Sequence, residues 1–403
     1  MLTRVPDWSL AIDFGTCFST AATRVEPDGT ARAVEIENSR YLPSLVCLDD
    51  AGTLLTGRAA AQLAAQRPEL AEQAPKRALV RQEAVLLGGR EFATADLAAA
   101  VLRRAAEAAA AEHGGRPPRG TVLTHPADWS PVELARLTHA ADLAGLSVPE
   151  LVPEPVAAAR YHAARTAPPP HGAIAVYDLG GGTLDTAVLD WDGTRFSATA
   201  VAGDPDFGGR DLDQALLDLL RERALDLDPR PWQRLWDATT PTARHQQSAL
   251  RAALTLAKEA LSSTATVYLT VPGYPEPFVV QGGEYREAIA PALSSSVALL
   301  ERTVARAGRT PGDLHALVLA GAASRTPQVS DLIAARLGRL PEIAADPKAS
   351  VVLGALTEPP STPRDPAQEQ GPQQRPDEGP ARRWAVTRYP DEVDPHLDGR
   401  LIR

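Results

Sequence analysis

The sequence predicts an α/β protein made of two related halves, and three observations carry that prediction. First, one device occurs twice. An apolar run, Ser9-Leu10-Ala11-Ile12, leads into Asp13-Phe14-Gly15-Thr16 and then, through a strand-like stretch, to Asp28-Gly29-Thr30. Ala173-Ile174-Ala175-Val176-Tyr177 leads likewise into Asp178-Leu179-Gly180-Gly181-Gly182-Thr183 and on to Asp192-Gly193-Thr194. Each copy reads as a β-hairpin with a Gly-rich turn at one end and an Asp-Gly turn at the other. Second, strand-type segments alternate with Ala-rich or periodically apolar helical stretches along most of the chain. Third, 403 residues of which 44% are hydrophobic suffice for two domains with real cores and extra material.

In order, 9–36 is the first hairpin and 40–48 an extended segment. Residues 57–78, rich in Ala and Gln, read as one helix. Thr94 reads as the N-cap of a long Ala-rich helix that stops at Gly114-Gly115. A short strand at 121–124 precedes a helix at 131–144, whose apolar Val132, Leu134, Leu137, Ala141 and Ala144 recur at helical spacing, with Gly145 past its end. Glu154-Pro155-Val156-Ala157-Ala158-Ala159 opens another helix, with Pro in its first turn. Residues 166–171, holding Pro168-Pro169-Pro170, read as a linker before the second device. Helices are expected at 211–227, 242–261, 284–307 and 327–337. Strands are expected at 266–271 and 278–280, and a buried one at 317–321. From Thr357 the composition shifts: nine of the last 47 residues are Pro and apolar periodicity disappears, which predicts a disordered tail over 357–403.

The duplicated turn suggests its chemistry. An Asp beside backbone N–H groups freed by Gly suits a phosphate with its Mg²⁺: the amides take the oxygens and the carboxylate holds the metal's waters. One Asp-x-Gly-Thr turn alone would be ordinary. Two, with matched hairpins and with Asp185 added in the second, suggest a nucleotide clamped between two related domains.

Composition narrows the setting. A formal charge of −10 argues against broad nucleic-acid or anionic-membrane binding. No run of 18 apolar residues is present, so no transmembrane helix is expected, and the N-terminus does not read as a signal peptide. Cys17 and Cys47, the only cysteines, have neither metal-ligand nor disulfide-framework spacing, which suits a reducing cytoplasm. Of 41 basic residues only Lys76, Lys258 and Lys348 are lysine. A lysine in so arginine-rich a chain marks a candidate site for a compact ammonium; Lys348 is expected to be a surface survivor without a role.

These motifs resemble the nucleotide-binding domain of the seventy-kilodalton heat-shock chaperone family, within the actin-like ATPase superfamily. Residues 178–185 are similar to its second phosphate motif, 13–19 to its first and 154–159 to its connecting helix. Pro75-Lys76-Arg77, Gly203-Asp204, Gly208-Gly209-Arg210-Asp211-Leu212-Asp213, Ala257-Lys258, Leu261-Ser262-Ser263 and Gly321 through Arg325-Thr326-Pro327 follow in the family's order, over about residues 9–356. The resemblance implies an actin-like ATPase fold: lobe I over 1–166, lobe II over 171–344, each with a mixed five-stranded sheet flanked by helices, a nucleotide cleft between them, and a C-terminal helix at 345–356 returning to lobe I. It implies ATP and ADP as ligands, Mg²⁺ held through water by Asp13 and Asp178, and K⁺ as a further candidate. Gly15, Thr16, Cys17, Gly180, Gly181, Gly182, Gly208 and Gly209 would line the phosphates. Lys76 would reach the γ-phosphate, while Glu154, Thr183 and Asp185 would position or polarise the attacking water. Lys258, Ser262, Gly321 and Arg325 would surround the adenosine.

The sequence also departs from that family. No apolar linker or β-rich peptide-binding domain is legible after Leu356, and Leu134 and Thr138 stand where the family couples its domains through Arg and Lys. Thr255, Glu259, Ala322 and Ala323 alter the adenosine end, which predicts weaker binding there by about 1 kcal/mol for each lost hydrogen bond. Cys17 replaces a Thr, as either an inert buried thiol or a redox gate. Arg210 takes an acidic position with no effect legible from the sequence. The expected function is a slow ATPase whose open and closed clefts are read by a partner or client protein. A nucleotide-locked scaffold is the alternative. A small-molecule kinase and a polymerising actin-like protein are disfavoured.

Overall fold

The computed structural model describes residues 6–358, apart from 27, 28, 148, 167, 170, 238 and 239. Asp28 of the first expected Asp-Gly turn, positions 167 and 170 of the expected linker, and the expected tail beyond Glu358 lie outside the described residues. Two mixed sheets organise the rest. The first runs, in spatial order, Glu150–Pro153, Gly120–His125, Trp8–Asp13, Phe18–Val25 and Arg32–Ala33, and the short strand Leu42–Pro43 also pairs with Phe18–Val25. The second runs Glu342–Ile343, Leu314–Ala320, Gly172–Leu179, Leu184–Trp191 and Phe196–Asp204. The two rows are equivalent. Each has two parallel strands, then the Asp-bearing strand parallel to them, then two antiparallel strands.

Eleven helices are seen among the described residues. In the first half these are α1 (Gly57–Gln66), α2 (Pro75–Arg81), α3 (Thr94–Glu112), α4 (Pro131–Leu143) and α5 (Glu154–Ala163). The second half carries α6 (Gly209–Leu227), α7 (Pro229–Asp237), α8 (Pro241–Leu261), α9 (Gly282–Arg306), α10 (Pro327–Leu337) and α11 (Pro347–Ala355).

The single helix expected over 57–78 is instead two. Pro68 and Pro75 lack the N–H that would continue a helix, so α1 stops at Gln66. A 3₁₀ turn follows at Pro68–Leu70, Ala71–Glu72 pairs with Val46–Leu48, and α2 restarts at Pro75. This break sets Lys76 at the second position of a short helix. Thr94 is not the expected cap: Ala93 holds that place, and the Thr94 hydroxyl donates to the carbonyls of Gln82 (3.0 Å) and Glu83 (3.3 Å). The helix α7 was not anticipated; it buries Trp232 and Leu235.

Alternation along the central strands divides the apolar residues into three cores. Leu10, Ile12 and Leu123 face α3 and α4, and Ala175, Tyr177 and Leu319 face α6, α8 and α9. The opposite faces, with Ala11, Ala22, Val122, Ile174, Val176 and Val318, close on a third core that contains α5 and α11. There the helices touch backbone to backbone: a Cβ on Gly354 would overlap the Ala157 carbonyl oxygen. The Arg24 guanidinium donates to the Leu356 carbonyl (2.7 Å), fixing the end of α11 to the first sheet.

Candidate active site

Both Asp-bearing strands end where the two halves meet. Asp13 is the last residue of its strand, in register with Thr124 of the parallel neighbour, whose hydroxyl donates to Asp13 Oδ1 (2.8 Å). Asp178 lies directly across from Asp185 on the second hairpin. Glu154 is the first residue of α5, at the end of the edge strand Glu150–Pro153, and accepts from Lys76 Nζ at 2.7 Å. Lys76 and Glu154 are each only 7% exposed, so the pair is a buried one.

This assembly is short of positive charge. Burial pushes the Asp13 carboxyl up to about 6, with Glu154 adding to the rise against Lys76 and Thr124. Burial, then Glu154 and Asp128, push Asp185 up to about 8, although Lys76 and the Thr183 hydroxyl oppose this. Burial followed by repulsion from Glu154, Asp185 and Asp13 raises Asp178 well above the usual carboxylate range. For Lys76, burial favours the neutral amine, but attraction to Glu154 and Asp13 outweighs it and the ammonium is held above its ordinary range. Four carboxylates, Glu154 and Asp178 buried and Asp13 and Asp185 partly so, facing one ammonium favour uptake of protons or a cation. A hard divalent ion with oxygen ligands suits them. Among the described residues no group of three or more His, Cys, Asp or Glu side chains forms a metal cage.

The two Gly-rich turns lie against each other beside these acids. The Gly180 N–H donates to Thr183 O (2.9 Å), closing the second turn. A Cβ on Gly181 would overlap Cys17 Sγ, and one on Gly182 would stand 3.0 Å from Thr16 Cγ2, so only backbone fits opposite the first turn. Arg77 donates to the Gly182 carbonyl from α2. The start of α6 closes on the same turn: Gly208 packs against Gly182, while the Gly209 and Arg210 amides donate to Gly180 O and Gly181 O, both at 2.9 Å. Gly15, in the first turn, lies against the Phe18 carbonyl.

Next to this closure, Lys258 Nζ donates to Gly209 O (2.9 Å) and pairs with Asp213 Oδ1 (2.8 Å). Thr255 donates to the second Asp213 oxygen (3.1 Å), so it supports the lysine's partner. Gly321, at φ +75, follows Leu314–Ala320, where a side chain would strike Asp178 Oδ1. Ser262 caps the C-terminus of α8 and Arg325 ends the turn Ala323–Arg325; both are exposed and neither lies within the buried cluster.

Several contributors were not anticipated. Asp128 raises Asp185, and Trp129 places its ring centroid 5.4 Å from Lys76 Nζ. Both follow the strand Gly120–His125, and its end beside Asp13 is a register that sequence does not state. Arg210, without a legible effect in sequence, reaches across to Gln73 O (3.0 Å). The exposed pairs Arg81–Asp206 (2.6 Å) and Arg244–Glu69 (2.8 Å) bridge the same two halves. Cys17 is half-buried, with its sulfur against Gly181, and so is not the sequestered thiol of the simpler expectation. Lys348 is not a free surface residue: it is half-buried over the rings of Phe18 and Tyr41.

Among the described residues no helix is long and apolar enough to cross a membrane. The family model described as "Hsp70 protein" matches residues 71–358. Chaperone protein HscA of Pectobacterium carotovorum subsp. carotovorum (strain PC1) is 35% identical over 268 residues, covering 65% of this chain and 39% of the relative. Chaperone protein DnaK of Picrophilus torridus is 28% identical over 357 residues, covering 86% and 57% respectively. Chaperone protein DnaK of Methanothermobacter thermautotrophicus is 28% identical over 356 residues, covering 86% and 58%. The chain thus spans roughly two fifths to three fifths of the length of these curated relatives. Matched over most of its length and carrying two equivalent sheets whose Gly-rich turns meet at one acidic cluster, the chain belongs to the Hsp70 family.

Proposed function

We propose that this chain binds Mg-ATP in the cleft between its two sheets and hydrolyses it slowly to ADP and phosphate, and that the cleft's opening and closing is read by a protein partner or client. The observation that carries this reading is the buried Lys76–Glu154 pair among Asp13, Asp178 and Asp185, where the two Gly-rich turns meet. Residues 1–166 and 171–344 act as the lobes, with 345–356 returning to the first and 357–403 as a Pro-rich tail. The free thiols Cys17 and Cys47 suit a cytoplasmic setting.

Phosphoryl transfer to water needs positioning and charge neutralisation more than covalent help. Mg²⁺, when bound, neutralises phosphate charge. Asp13 and Asp178 would hold it through water, and Thr16, Cys17 and Gly180 to Gly182 would shape the phosphate cradle, closed by Gly208 and Gly209. Lys76, anchored by Glu154, directs its ammonium toward the terminal phosphate. Glu154, Thr183 and Asp185 would orient the attacking water, and an ionised carboxylate there would accept its proton as water bonds to the terminal phosphorus and the bond from that phosphorus to the departing ADP breaks. Lys258, Ser262, Gly321 and Arg325 border the adenosine.

Single-turnover hydrolysis of radiolabelled ATP by the full chain, with Mg²⁺ and K⁺, tests the reading alongside ADP calorimetry. Slow turnover abolished by Lys76→Ala is the expected result. Tight binding without turnover would make the chain a nucleotide-locked scaffold, and absence of both would remove the proposal.

A further inference from the structure

The chain uses arginine almost everywhere and has only three lysines. Lys76 is paired with Glu154 and Lys258 with Asp213. Lys348 differs: among the described residues no carboxylate lies within ion-pair distance of it and no hydrogen bond holds it. Its Nζ rests 4.7 Å from the Phe18 ring centroid and 4.6 Å from that of Tyr41. The nearest carboxylate in sequence, Asp346, is already engaged. Both its oxygens accept from the Tyr41 hydroxyl (2.8 and 2.7 Å), and Oδ1 also accepts from the Ala349 amide (3.2 Å). Burial lowers the Lys348 ammonium's pKa, and Lys258 acts in the same direction against Glu259 and Asp346. A half-buried cation set on two aromatic faces is oriented by its cradle while its hydrogen-bond donors stay unused. Phe18 is still 41% exposed, so the cradle is not sealed.

Position says what the ammonium faces. Phe18 follows Cys17, whose sulfur touches Gly181 of the second phosphate turn. Lys258, Glu259 and Cys17 are all near enough to act on Lys348 electrostatically, and Lys258 is itself hydrogen-bonded to Gly209 (2.9 Å). The lysine therefore stands between the turns that would take the phosphates and the residues that would border the adenosine. A nucleotide spanning those two regions has its ribose-proximal phosphate between them. We infer that Lys348, presented by Phe18 and Tyr41, is a specificity residue that recognises the phosphate attached to the ribose. This rests on the nucleotide-binding reading above and adds to it the residue that sets preference for a nucleotide over a nucleoside. Lys348 would offset part of the affinity lost at the altered adenosine end.

The test compares ADP, AMP and adenosine binding by calorimetry on the full chain and on Lys348→Gln and Lys348→Arg. A charge-assisted hydrogen bond to phosphate is worth roughly tenfold or more in affinity. Lys348→Gln should weaken ADP and AMP about tenfold and leave adenosine unchanged, and Lys348→Arg should recover most of the loss. The ratio of ADP to adenosine affinity within one preparation is the readout, so a reduced folded fraction cancels. If wild-type ADP binding is present but that ratio is unmoved by Lys348→Gln, the inference falls while the nucleotide-binding reading stands. An equal loss for adenosine overturns it as well, since the lysine then serves the cradle only. If the wild type binds no ADP, both fall.

Discussion

Replacing Asp185 by Asn removes one charge from the crowded centre, and its effect is calculable. The carboxyl is raised from 3.8 to about 8 by burial, then Glu154 and Asp128. A folded-state pKa above the unfolded one means that folding favours the protonated form. The associated stability is complete below the unfolded pKa and is lost as pH climbs through the folded one. The accumulated cost of Asp185 in the nucleotide-free protein is therefore on the order of 3 kcal/mol at pH 6 and about 5 kcal/mol at pH 8. These are upper bounds, because Glu154 and Asp128 also relax when one neighbour loses its charge. Asparagine keeps the shape and does not titrate. Urea denaturation of the two proteins without nucleotide should show Asp185→Asn gaining about 2 kcal/mol on the wild type between pH 6 and pH 8. A stability difference that stays flat across that range would refute the picture of an uncompensated acidic centre. The same variant should lose hydrolysis while retaining Mg-ATP binding, which separates the carboxylate's role with water from its cost to the fold.

Two further outcomes follow from the contacts around the cleft. Gly181→Ala drives a methyl group into Cys17, so ADP affinity should fall at least about tenfold. Combining it with Cys17→Gly should restore part of the loss, whereas simple additivity in calorimetry would show that the two turns do not touch. Arg210→Glu removes the contact to Gln73 O; stopped-flow release of a fluorescent ADP analogue should quicken severalfold, and an unchanged rate would show that this bridge does not hold the cleft closed.

Sequence revealed the repeated architecture because both copies carry the same local chemistry: an apolar strand, an Asp, and Gly where another chain passes close by. The acids at 13, 154, 178 and 185 and the lysine at 76 were legible for that reason, together with the family resemblance. The limits were matters of register and approach. Thr124 bonds Asp13 only because two distant strands run parallel in step, and Asp128 enters the centre from the end of the same strand. Arg210 matters through a carbonyl at Gln73, and no pattern in the sequence announces a backbone acceptor. The break between α1 and α2 was written in Pro68 and Pro75, but the Ala and Gln around them masked it. Lys348 was misread because rarity of a residue type says where to look, while the two aromatic rings that hold it come from segments more than 300 residues away.

The seam between α5 and α11 has a mechanical consequence. Its central contact is made by Gly354 against the Ala157 backbone, with the side chain of Tyr161, one turn further along α5, packed beside it. Pulling the two sheets apart here would expose a whole apolar core to water, which is costly in proportion to area. At Gly354 the two backbones meet directly, so any side chain there would force the helices apart. The seam therefore holds the two sheets together close to the acidic centre, since α5 carries both Glu154 and the Ala157 contact, while the arginine bridges join the two halves at exposed positions.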